Sequence, residues 1–521
     1  MVVRSLGVGT LILVTAAASA RADEPPPYVP PDFMTVAPPL PAGEDGPTVW
    51  KLDLAEALQI AAHRNLGLVV ERDNLHIADL GITVAGAPFE PLLTAGYLHS
   101  SAFEPPLTSV DGSVGELFAA HEDDWQIGLS QRLETGTLLA VNLTSSRTAS
   151  TLGTAVAPLD YRTNVSVSVV QPLGRGFSLD RTVPRVAILR AHIASDRERF
   201  QLVVAATDII KQTEDAYWDV VQALYRHDLE RKSQARAREQ LALTQRQIAA
   251  GTLPPSDLIG VQSTVAQHEL SVVSSEESVR QSWDVLRGVL NLPHEEWTRP
   301  ILPVDMPQFT AAPTTDEAEL ALALANRPDL AQVDLDVKGA ALGVRVAEND
   351  KRPQLDLGVT AAVLGENAGY SQAVRQAAEA NAHAWQVTLN MSWTPLMRAT
   401  GAAAEIVQHH HKQSLVLREQ IVQTIWLQVR DAVRTQRSAA RLVAAAGAAR
   451  ELAEQTLAIE QRRFMNGTSS NIYVAAKQEE LANAQIAELG AVLAHKKATS
   501  SLLRATGRLL AERHVELDAR R

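Results

Sequence analysis

The stretch WQVTLNMSW, residues 385–393, alternates apolar and polar residues along its whole length. Successive side chains of a β-strand point to opposite faces, so this stretch predicts a strand with one apolar face and one polar face. Trp385 and Trp393 stand at the two ends of the apolar face. A half-buried strand of a soluble sheet shows the same alternation, so the rest of the sequence has to distinguish the two cases.

Five further segments repeat this alternation, the first of them most weakly. They occupy residues 92–100, 125–133, 138–146, 163–171 and 354–363. A length of ~9–11 residues is that of strands which cross a bilayer at a tilt. Aromatic side chains at strand ends match the girdles of membrane barrels, and the small polar residues of the other face suit a water-filled lumen. The pattern therefore favours membrane strands, with Trp125, Trp385 and Trp393 facing lipid.

Composition and charge exclude several classes of protein. The chain has 521 residues, a formal net charge of −12 and 46% hydrophobic residues. The negative charge argues against a nucleic-acid partner, because phosphate binding needs a basic surface. The chain contains no cysteine, which excludes disulfides, thiol catalysis, thiolate metal sites and a lipid-carrying N-terminal cysteine.

The N-terminus has the pattern of a secretory signal peptide. Arg4 precedes a short apolar run, and the tripeptide at residues 20–22 fits the small-x-small cleavage rule. We expect cleavage before Asp23, with Ala20 as the competing site. The run is shorter than the ~20 residues of a spanning helix, which argues against a membrane anchor. An exported chain of this kind can enter an outer membrane as a closed β-barrel.

Long helices separate the two groups of strands. Apolar residues recur every seven positions at Val203, Ile210, Tyr217 and Leu224, a spacing typical of a coiled coil. Helices are predicted at residues 180–250, 256–290, 399–464 and 470–506. At ~1.5 Å per residue, the first of these would reach ~100 Å.

The two halves of the chain follow the same order of segments. The helical start LAEALQIAAHRNLGL at 54–68 corresponds to DEAELALALANRPDL at 316–330. In each half the strands end in an x-P-L triplet, and the long helix that follows breaks at a Gly-Thr pair. The first strand region is longer by about one β-hairpin, which strands 125–133 and 138–146 supply.

This order and spacing resemble the TolC family of outer-membrane efflux proteins, over about residues 52–510. The resemblance implies a mixed, mainly α fold. A long coiled-coil helical barrel joins a transmembrane antiparallel β-barrel, both are formed by a homotrimer, and each chain has two structural repeats. Family members typically have four strands per chain. The extra hairpin would give six strands, or eighteen in a trimer, unless it lies outside the barrel.

The resemblance also divides the chain into segments. Residues 1–22 form the signal peptide, 23–50 a Pro-rich N-terminal segment, and 51–293 the first repeat, with barrel strands at about 91–172 and a tip at 251. Residues 294–313 form a linker, 314–513 the second repeat, with barrel strands at about 354–394 and a tip at 467, and 514–521 a C-terminal tail. Residues 101–122, 148–160 and 365–383 are predicted as extracellular loops, and residues 134–136 as a periplasmic turn.

The resemblance assigns function to the two helical tips. In the family the tips form the periplasmic entrance and bind a membrane-fusion adaptor, and acidic residues often follow the tip glycine. Asp257 stands six residues after Gly251, whereas Tyr473 holds the same step after Gly467. The family pattern thus implies an acidic ring in the first repeat only, with Phe464 or Tyr473 as candidates for an aromatic constriction. A plain helical hairpin would also need the glycines, and Asp257 would equally suit a first helical turn.

Pro172 and Pro395 mark the predicted change from strand to helix, because proline cannot continue a hydrogen-bonded ladder. No catalytic, cofactor-binding or metal site is predicted. The run His409-His410-His411 is the most conspicuous cluster. Consecutive helical residues point ~100° apart, so these three side chains cannot converge on one metal ion.

Two functions from different classes remain open at this point. The first is a passive outer-membrane exit duct of a tripartite efflux or secretion system in a Gram-negative-type bacterium. Such a duct would be a homotrimer in outer-membrane lipid with a large periplasmic part. It would take drugs, metals or proteins from an inner-membrane pump and a periplasmic adaptor. The second is a structural envelope coiled coil, an adaptor or spacer with a soluble β-domain.

Overall fold

The structure, a computed structural model, describes residues 31, 34, 38–41, 49–104, 117–150, 159–310 and 315–517. The predicted signal peptide, most of the Pro-rich segment and the end of the C-terminal tail lie outside these residues. Where it is described, the chain is mainly helical and carries one large sheet, as the sequence predicts. None of the described helices is long and apolar enough to cross a membrane.

The elements follow one another in an order close to the predicted one. The first half contains β1 (Trp50–Leu52), α1 (Leu54–Arg64), α2 (Leu66–Gly86), β2 (Leu92–Glu104), β3 (Phe118–Arg132), β4 (Leu138–Ser150), β5 (Leu159–Pro172), α3 (Val186–Ala249) and α4 (Asp257–Leu290). The second half contains β6 (Ile301–Pro303), α5 (Asp316–Asn326), α6 (Pro328–Asp350), β7 (Gln354–Asn367), α7 (Tyr370–Glu379), β8 (Ala382–Ser392), α8 (Arg398–Met465), α9 (Asn471–Ala505) and α10 (Leu509–Glu512). The long helices begin and end within two residues of the predicted positions, except that α3 begins at Val186 instead of residue 180.

Six strands form one antiparallel sheet in the order β2-β3-β4-β5-β7-β8. The β3–β4 hairpin, whose place the sequence left open, lies inside this sheet between β2 and β5. In all five pairings odd-numbered residues face odd-numbered residues, as Tyr97 faces Trp125 and Val359 faces Val387. The odd-numbered residues of the sheet therefore share one face, called here the odd face, and the even-numbered residues share the other.

The two faces differ in chemistry as the alternation predicts. Exposed apolar residues of the odd face include Leu93, Ile127, Leu129, Val141, Leu143, Val167, Val169, Val359, Trp385, Val387, Leu389 and Met391. The even face carries small polar residues such as Asn142, Ser166 and Thr388. An apolar surface of this extent on a single sheet needs lipid or another protein surface to cover it.

The strands run further than predicted at the end where β2 leads to β3. The sequence prediction ended each strand where the apolar alternation stops, but β3 already begins at Phe118. In the added length a polar network on the odd face bridges three strands. The carboxylate of Asp123 accepts from the Tyr97 hydroxyl at 2.8 Å and from Arg147 Nη1 at 2.9 Å, and it lies 2.7 Å from His99 Nδ1. These cross-strand contacts extend the ladder beyond the apolar band.

Between β7 and β8 the sequence predicts only a loop, and this prediction is wrong. The segment forms α7, which packs against the sheet through Ala373 and Ala377, both buried. A Cβ built on Gly365 of β7 would lie 1.9 Å from the carbonyl oxygen of Ala373. An isolated helix of this length is marginal in water, so α7 is stabilised by its contact with the sheet.

The largest core lies part-way along α3, where α1 and α4 pack against a parallel pair of β1 and β6. The Tyr217 hydroxyl donates to Asp305 Oδ2 at 2.7 Å, and Trp283 Nε1 donates to the carbonyl of Ile301 at 2.9 Å. Burial raises the pKa of Tyr217 above its ordinary value. The core therefore holds α3 by directional bonds as well as by apolar packing.

The segment after α9 binds back to the first half of the chain. Leu509 of α10 packs with Leu58 of α1 and Ile210 of α3. Arg513 Nη2 donates at 2.6 Å to Oε1 of Glu214, a residue of α3 that is fully buried. This ion pair joins the C-terminal segment to the middle of the first long helix.

Candidate functional site

The first tip ends α3 with the hydrogen bonds of a Schellman motif. Gly251 has a left-handed backbone, with φ of +73°. Its N–H donates to the carbonyl of Ile248 at 2.9 Å, and the N–H of Thr252 donates to the carbonyl of Gln247 at 2.9 Å. The Thr252 hydroxyl donates to the same carbonyl at 2.8 Å. Glycine is needed here because other residues adopt this backbone at a cost, and threonine adds a second bond.

The second tip has the same geometry at the end of α8. Gly467 has a φ of +74° and donates to the carbonyl of Phe464 at 3.0 Å. The N–H and the hydroxyl of Thr468 donate to the carbonyl of Arg463 at 2.9 and 3.0 Å. The Gly-Thr pair seen in the sequence therefore ends both long helices in the same way.

A groove of about 660 Å³ lies between the two tips. Of the predicted residues, Asp257 and Phe464 line this groove, whereas Tyr473 does not and is 64% exposed. The structure thus brings together one residue from each tip, and of the two aromatic candidates only Phe464 lines the groove. Other lining residues include Arg236, Gln240, Thr244, Gln247, Ser256, Val261, Thr264, His268, Ser469, Ile472, Gln478 and Glu479.

The groove carries charges of both signs. Arg236 of α3 donates to Ser233 Oγ at 2.9 Å, and burial lowers the pKa of its guanidinium, which nevertheless stays charged at neutral pH. The carboxylates of Asp257 and Glu479 belong to α4 and α9, on other parts of the wall. Such a surface fits a polar partner segment better than a purely apolar one.

Besides Glu479, the second tip carries the acidic residue Glu460, which no sequence motif marks. Glu460 accepts a short hydrogen bond from Ser469 Oγ, and its Oε2 lies 3.5 Å from Arg463 Nη1. The family pattern directs attention to positions after the glycine, but Glu460 precedes Gly467 by two helical turns. Its spacing from Arg463, three residues, is the signal that could have found it.

The predicted strand-to-helix prolines lie in different settings. Pro172 is the last residue of β5, and residues 173–185 precede α3. Pro395 lies in the short connection 393–397 between β8 and α8. Asn349, a buried residue that no sequence pattern marks, fixes the first connection. Its Oδ1 accepts from the N–H of Gly176 at 2.8 Å, and its Nδ2 donates to the carbonyl of Phe177 at 2.8 Å.

The three tryptophans predicted to face lipid also differ. Trp385 is 76% exposed on the odd face of β8, and Trp393 directly follows the end of that strand. Trp125 is partly covered, because Tyr370 of α7 packs against it with ring centroids 5.7 Å apart. The lipid contact of all three tryptophans remains a prediction.

The histidine run lies on α8, and His410 Nδ1 is 3.1 Å from Gln413 Oε1. Among the described residues, no group of three or more His, Cys, Asp or Glu side chains could hold a metal ion.

Solved structures share this architecture. The CmeC outer membrane channel of Campylobacter jejuni matches with a TM-score of 0.63 at 13% identity, covering 88% of this chain and 86% of that one. The open state of the MtrE outer membrane channel of Neisseria gonorrhoeae matches with a TM-score of 0.62 at 14% identity, covering 95% and 100%. The VceC outer membrane protein of Vibrio cholerae matches with a TM-score of 0.61 at 14% identity, covering 87% and 96%. The fold is therefore that of outer-membrane channels.

Sequence comparison matches part of the second half of the chain to a known family. Residues 320–508 match the model of the outer membrane efflux protein family, and this match together with the fold confirms the resemblance to TolC-like efflux proteins. No curated relative was found by sequence. The predicted outer-membrane localisation with a periplasmic part is confirmed as well. In general terms the family is one of efflux ducts and not of enzymes.

Proposed function

We propose that three copies of this chain form a passive exit duct of a tripartite efflux or secretion system. The observation that carries the proposal is the six-stranded sheet, with its apolar odd face, its polar even face and its two edge strands. Five successive antiparallel pairings make β8 antiparallel to β2. In a trimer, β8 of one copy would pair with β2 of the next and close a barrel of eighteen strands. Closure would satisfy the edge groups that a bilayer cannot hydrate.

The long helices support the same assembly. Exposed large apolar residues on α2, α4 and α8 include Leu66, Val70, Ile77, Val84, Ile259, Leu270, Val273, Leu427, Leu442 and Leu452. Neighbouring copies would cover these side chains and continue the pore as a helical barrel. We propose that the two repeats of each chain contribute one helical hairpin each, α3–α4 and α8–α9.

The groove between the tips is the proposed binding site for a periplasmic adaptor. Its charged residues Arg236, Asp257 and Glu479 would recognise polar side chains of the adaptor, and Phe464 would contribute an apolar contact. The adaptor would in turn hold the duct to an inner-membrane pump.

Fractionation separates the duct from a structural spacer. A duct should remain in the outer-membrane fraction after carbonate washing, run as a heat-modifiable trimer and conduct ions in planar bilayers. A spacer with a soluble β-domain should leave the membrane in carbonate and conduct nothing. Release by carbonate would therefore contradict the proposal directly.

Asp257 gives a sharper test of the pore entrance. We propose that three copies of Asp257 form an acidic ring, whose field would attract cations more strongly as salt falls. Asp257→Asn should then lower cation selectivity and low-salt conductance, while Asp257→Glu should preserve both. Glu277→Gln is a matched control, because it removes an equally exposed charge further along α4. If Asp257 only stabilises the first turn, Asp257→Asn would keep the selectivity and lose ~0.3–1 kcal/mol of stability.

A further inference from the structure

Helix α7 lies on the apolar odd face of the sheet, at one end of it. This end is opposite to the end where β5 and β8 lead into the long helices α3 and α8. In the proposed duct it is therefore the outer end. The sheet-facing side of α7 consists of the buried residues Ala373 and Ala377, which meet the backbone at Gly365. Small side chains and a glycine allow helix and strand to touch closely.

The helix covers a polar patch at the outer edge of the apolar part of the odd face. On the odd face, Thr163 of β5 lies opposite Gly365, and Ser145 of β4 lies opposite Thr163. The hydroxyls of Ser145 and Thr163 are 3.0 Å apart. Both residues are buried, at 3% and 1% exposure. Facing hydrocarbon, these hydroxyl groups would be costly, and α7 removes them from the surface.

The covered patch marks a change in the chemistry of the odd face. The next odd-face residues towards the long helices are apolar, as Leu143 and Val165 are. The next ones outward are polar or charged, as Arg147 and Asp123 are. At the level of the patch Tyr370 packs edge-on against Trp125 at 5.7 Å and Tyr161 at 6.0 Å. Aromatic clusters at such a boundary are typical of the level where hydrocarbon meets headgroups.

The outer side of α7 is polar. Gln372, Arg375 and Glu379 are exposed on the side away from the sheet, while Tyr370 and Val374 lie at its flanks. Within hydrocarbon an arginine and a glutamate would be costly, but among headgroups both stay hydrated. The helix is thus apolar and small towards the sheet and polar outward.

We propose that α7 is an interfacial helix that contacts the lipid headgroups of the outer leaflet and fixes the depth of the sheet in the membrane. The inference rests on the proposed duct, because it takes the odd face as the lipid-facing one. It names the residues of the contact surface. Gln372, Arg375 and Glu379 meet the headgroups, and Trp125, Tyr161 and Tyr370 form the boundary between headgroups and hydrocarbon.

Site-directed spin labelling can test the position of α7, since the chain has no native cysteine to remove. Single cysteines at Arg375, Leu389 and Thr388 would carry nitroxide labels in trimers reconstituted into phosphatidylglycerol–phosphatidylethanolamine vesicles. Leu389 is the lipid reference on the odd face of β8, and Thr388 is the water reference on its even face. Accessibility to oxygen, which concentrates in lipid, and to a nickel chelate, which stays in water, gives the depth of each label.

We expect the Leu389 label in hydrocarbon, the Thr388 label in water, and the Arg375 label within ~10 Å of the phosphate layer. If the two references behave as expected and the Arg375 label is as open to the nickel chelate as Thr388, the interfacial helix is refuted and the duct stands. If the Leu389 label is itself in water, the face assignment fails, and the proposed duct fails with it.

A glycine pair in β7 supplies a second test. A Cβ on Gly365 would lie 1.9 Å from the Ala373 oxygen and 2.6 Å from the Ala377 nitrogen, which are backbone atoms. Gly365→Ala should therefore lift α7 from the sheet and raise the exposure of the Arg375 label to the nickel chelate. Gly358→Ala is the matched control, because its Cβ would meet the Thr388 side chain at 2.4 Å and lies on the other face. If the Arg375 label in a folded Gly365→Ala trimer keeps the same accessibility to the nickel chelate, the proposed packing of α7 on Gly365 is refuted.

Discussion

A charge placed on the odd face of β8 should weaken the folded state, and the same charge on the even face should be tolerated. Leu389 is 64% exposed on the odd face. It lies midway between Trp385 and Trp393, four residues from each. At ~3.3 Å per residue and a tilt of ~40°, each tryptophan is ~10 Å away along the membrane normal. This spacing puts Leu389 near the middle of an apolar band that is ~25 Å tall in membrane barrels.

The expected magnitude follows from that depth. An arginine at the midplane of a lipid-facing strand costs ~2–4 kcal/mol, and the cost falls towards the interfaces. Leu389→Arg should therefore cost about 3 kcal/mol per chain, or about a hundredfold in the folding equilibrium. Val387→Arg lies two residues nearer to Trp385 and should cost somewhat less. Thr388→Arg should cost least, because a side chain on the even face would meet water, and Gly358 opposite it has no side chain to obstruct the arginine.

The assay is reversible unfolding of each variant in lipid vesicles by guanidinium, followed by gel mobility with and without heating. The three arginine variants differ only in position along one strand, so each serves as a control for the others. Equal loss of stability in Thr388→Arg and Leu389→Arg would refute the face assignment. A stable Leu389→Arg trimer would refute the lipid contact of this strand.

Three further predictions concern parts of the chain outside the sheet. Gly251→Ala should cost about 1 kcal/mol from the left-handed backbone alone, since the added Cβ meets no atom within 4 Å; the denaturation midpoint of the extracted protein measures this cost, and no loss would contradict it. Burial lowers the pKa of His227 in the folded state, so stability should be lost as pH falls below about 6.5, where the unfolded histidine takes up a proton. His227→Gln should reduce that loss between pH 7 and 5, whereas substitution of the exposed His410 should not; equal slopes in melting temperature would refute the assignment. Arg513→Ala should cost ~3–5 kcal/mol because it leaves the buried carboxylate of Glu214 unpaired, and adding Glu214→Gln should recover most of that loss in the same unfolding assay.

Much of the fold could be predicted because its signals are periodic and local. The alternation of WQVTLNMSW, with its Val387 and Leu389, determines the face of each residue, and the register keeps that face across all six strands. The tip glycines could be predicted because a left-handed residue must end a helix of this kind, and glycine adopts that backbone at least cost. Both signals require no knowledge of distant residues.

The missed elements depend on contacts between distant parts of the chain. β1 and β6 have three residues each, too few for an alternating pattern, and they pair across about 250 positions of sequence, as Trp50 does with Ile301. In α7, Ala373 and Ala377 are four residues apart, as on one face of a helix. A helix this short is nevertheless marginal without its packing contact at Gly365. The outer extensions of the strands rest on Asp123 and its partners on neighbouring strands. In each case packing supplies the stability that local sequence does not.

The structure of the tips depends both on local sequence signals and on contacts between distant residues. The same Schellman motif ends α3 at Gly251 and α8 at Gly467, so the backbone of the two tips is alike although the residues that follow are different. The acid of the first tip, Asp257, stands after its glycine, while the acid of the second, Glu460, stands before its glycine and is held by Ser469. Of these two acids, Asp257 is exposed and has no ion pair among the described contacts, whereas Glu460 lies beside Arg463. Between the two, Asp257 is therefore the residue whose charge should act on ion selectivity.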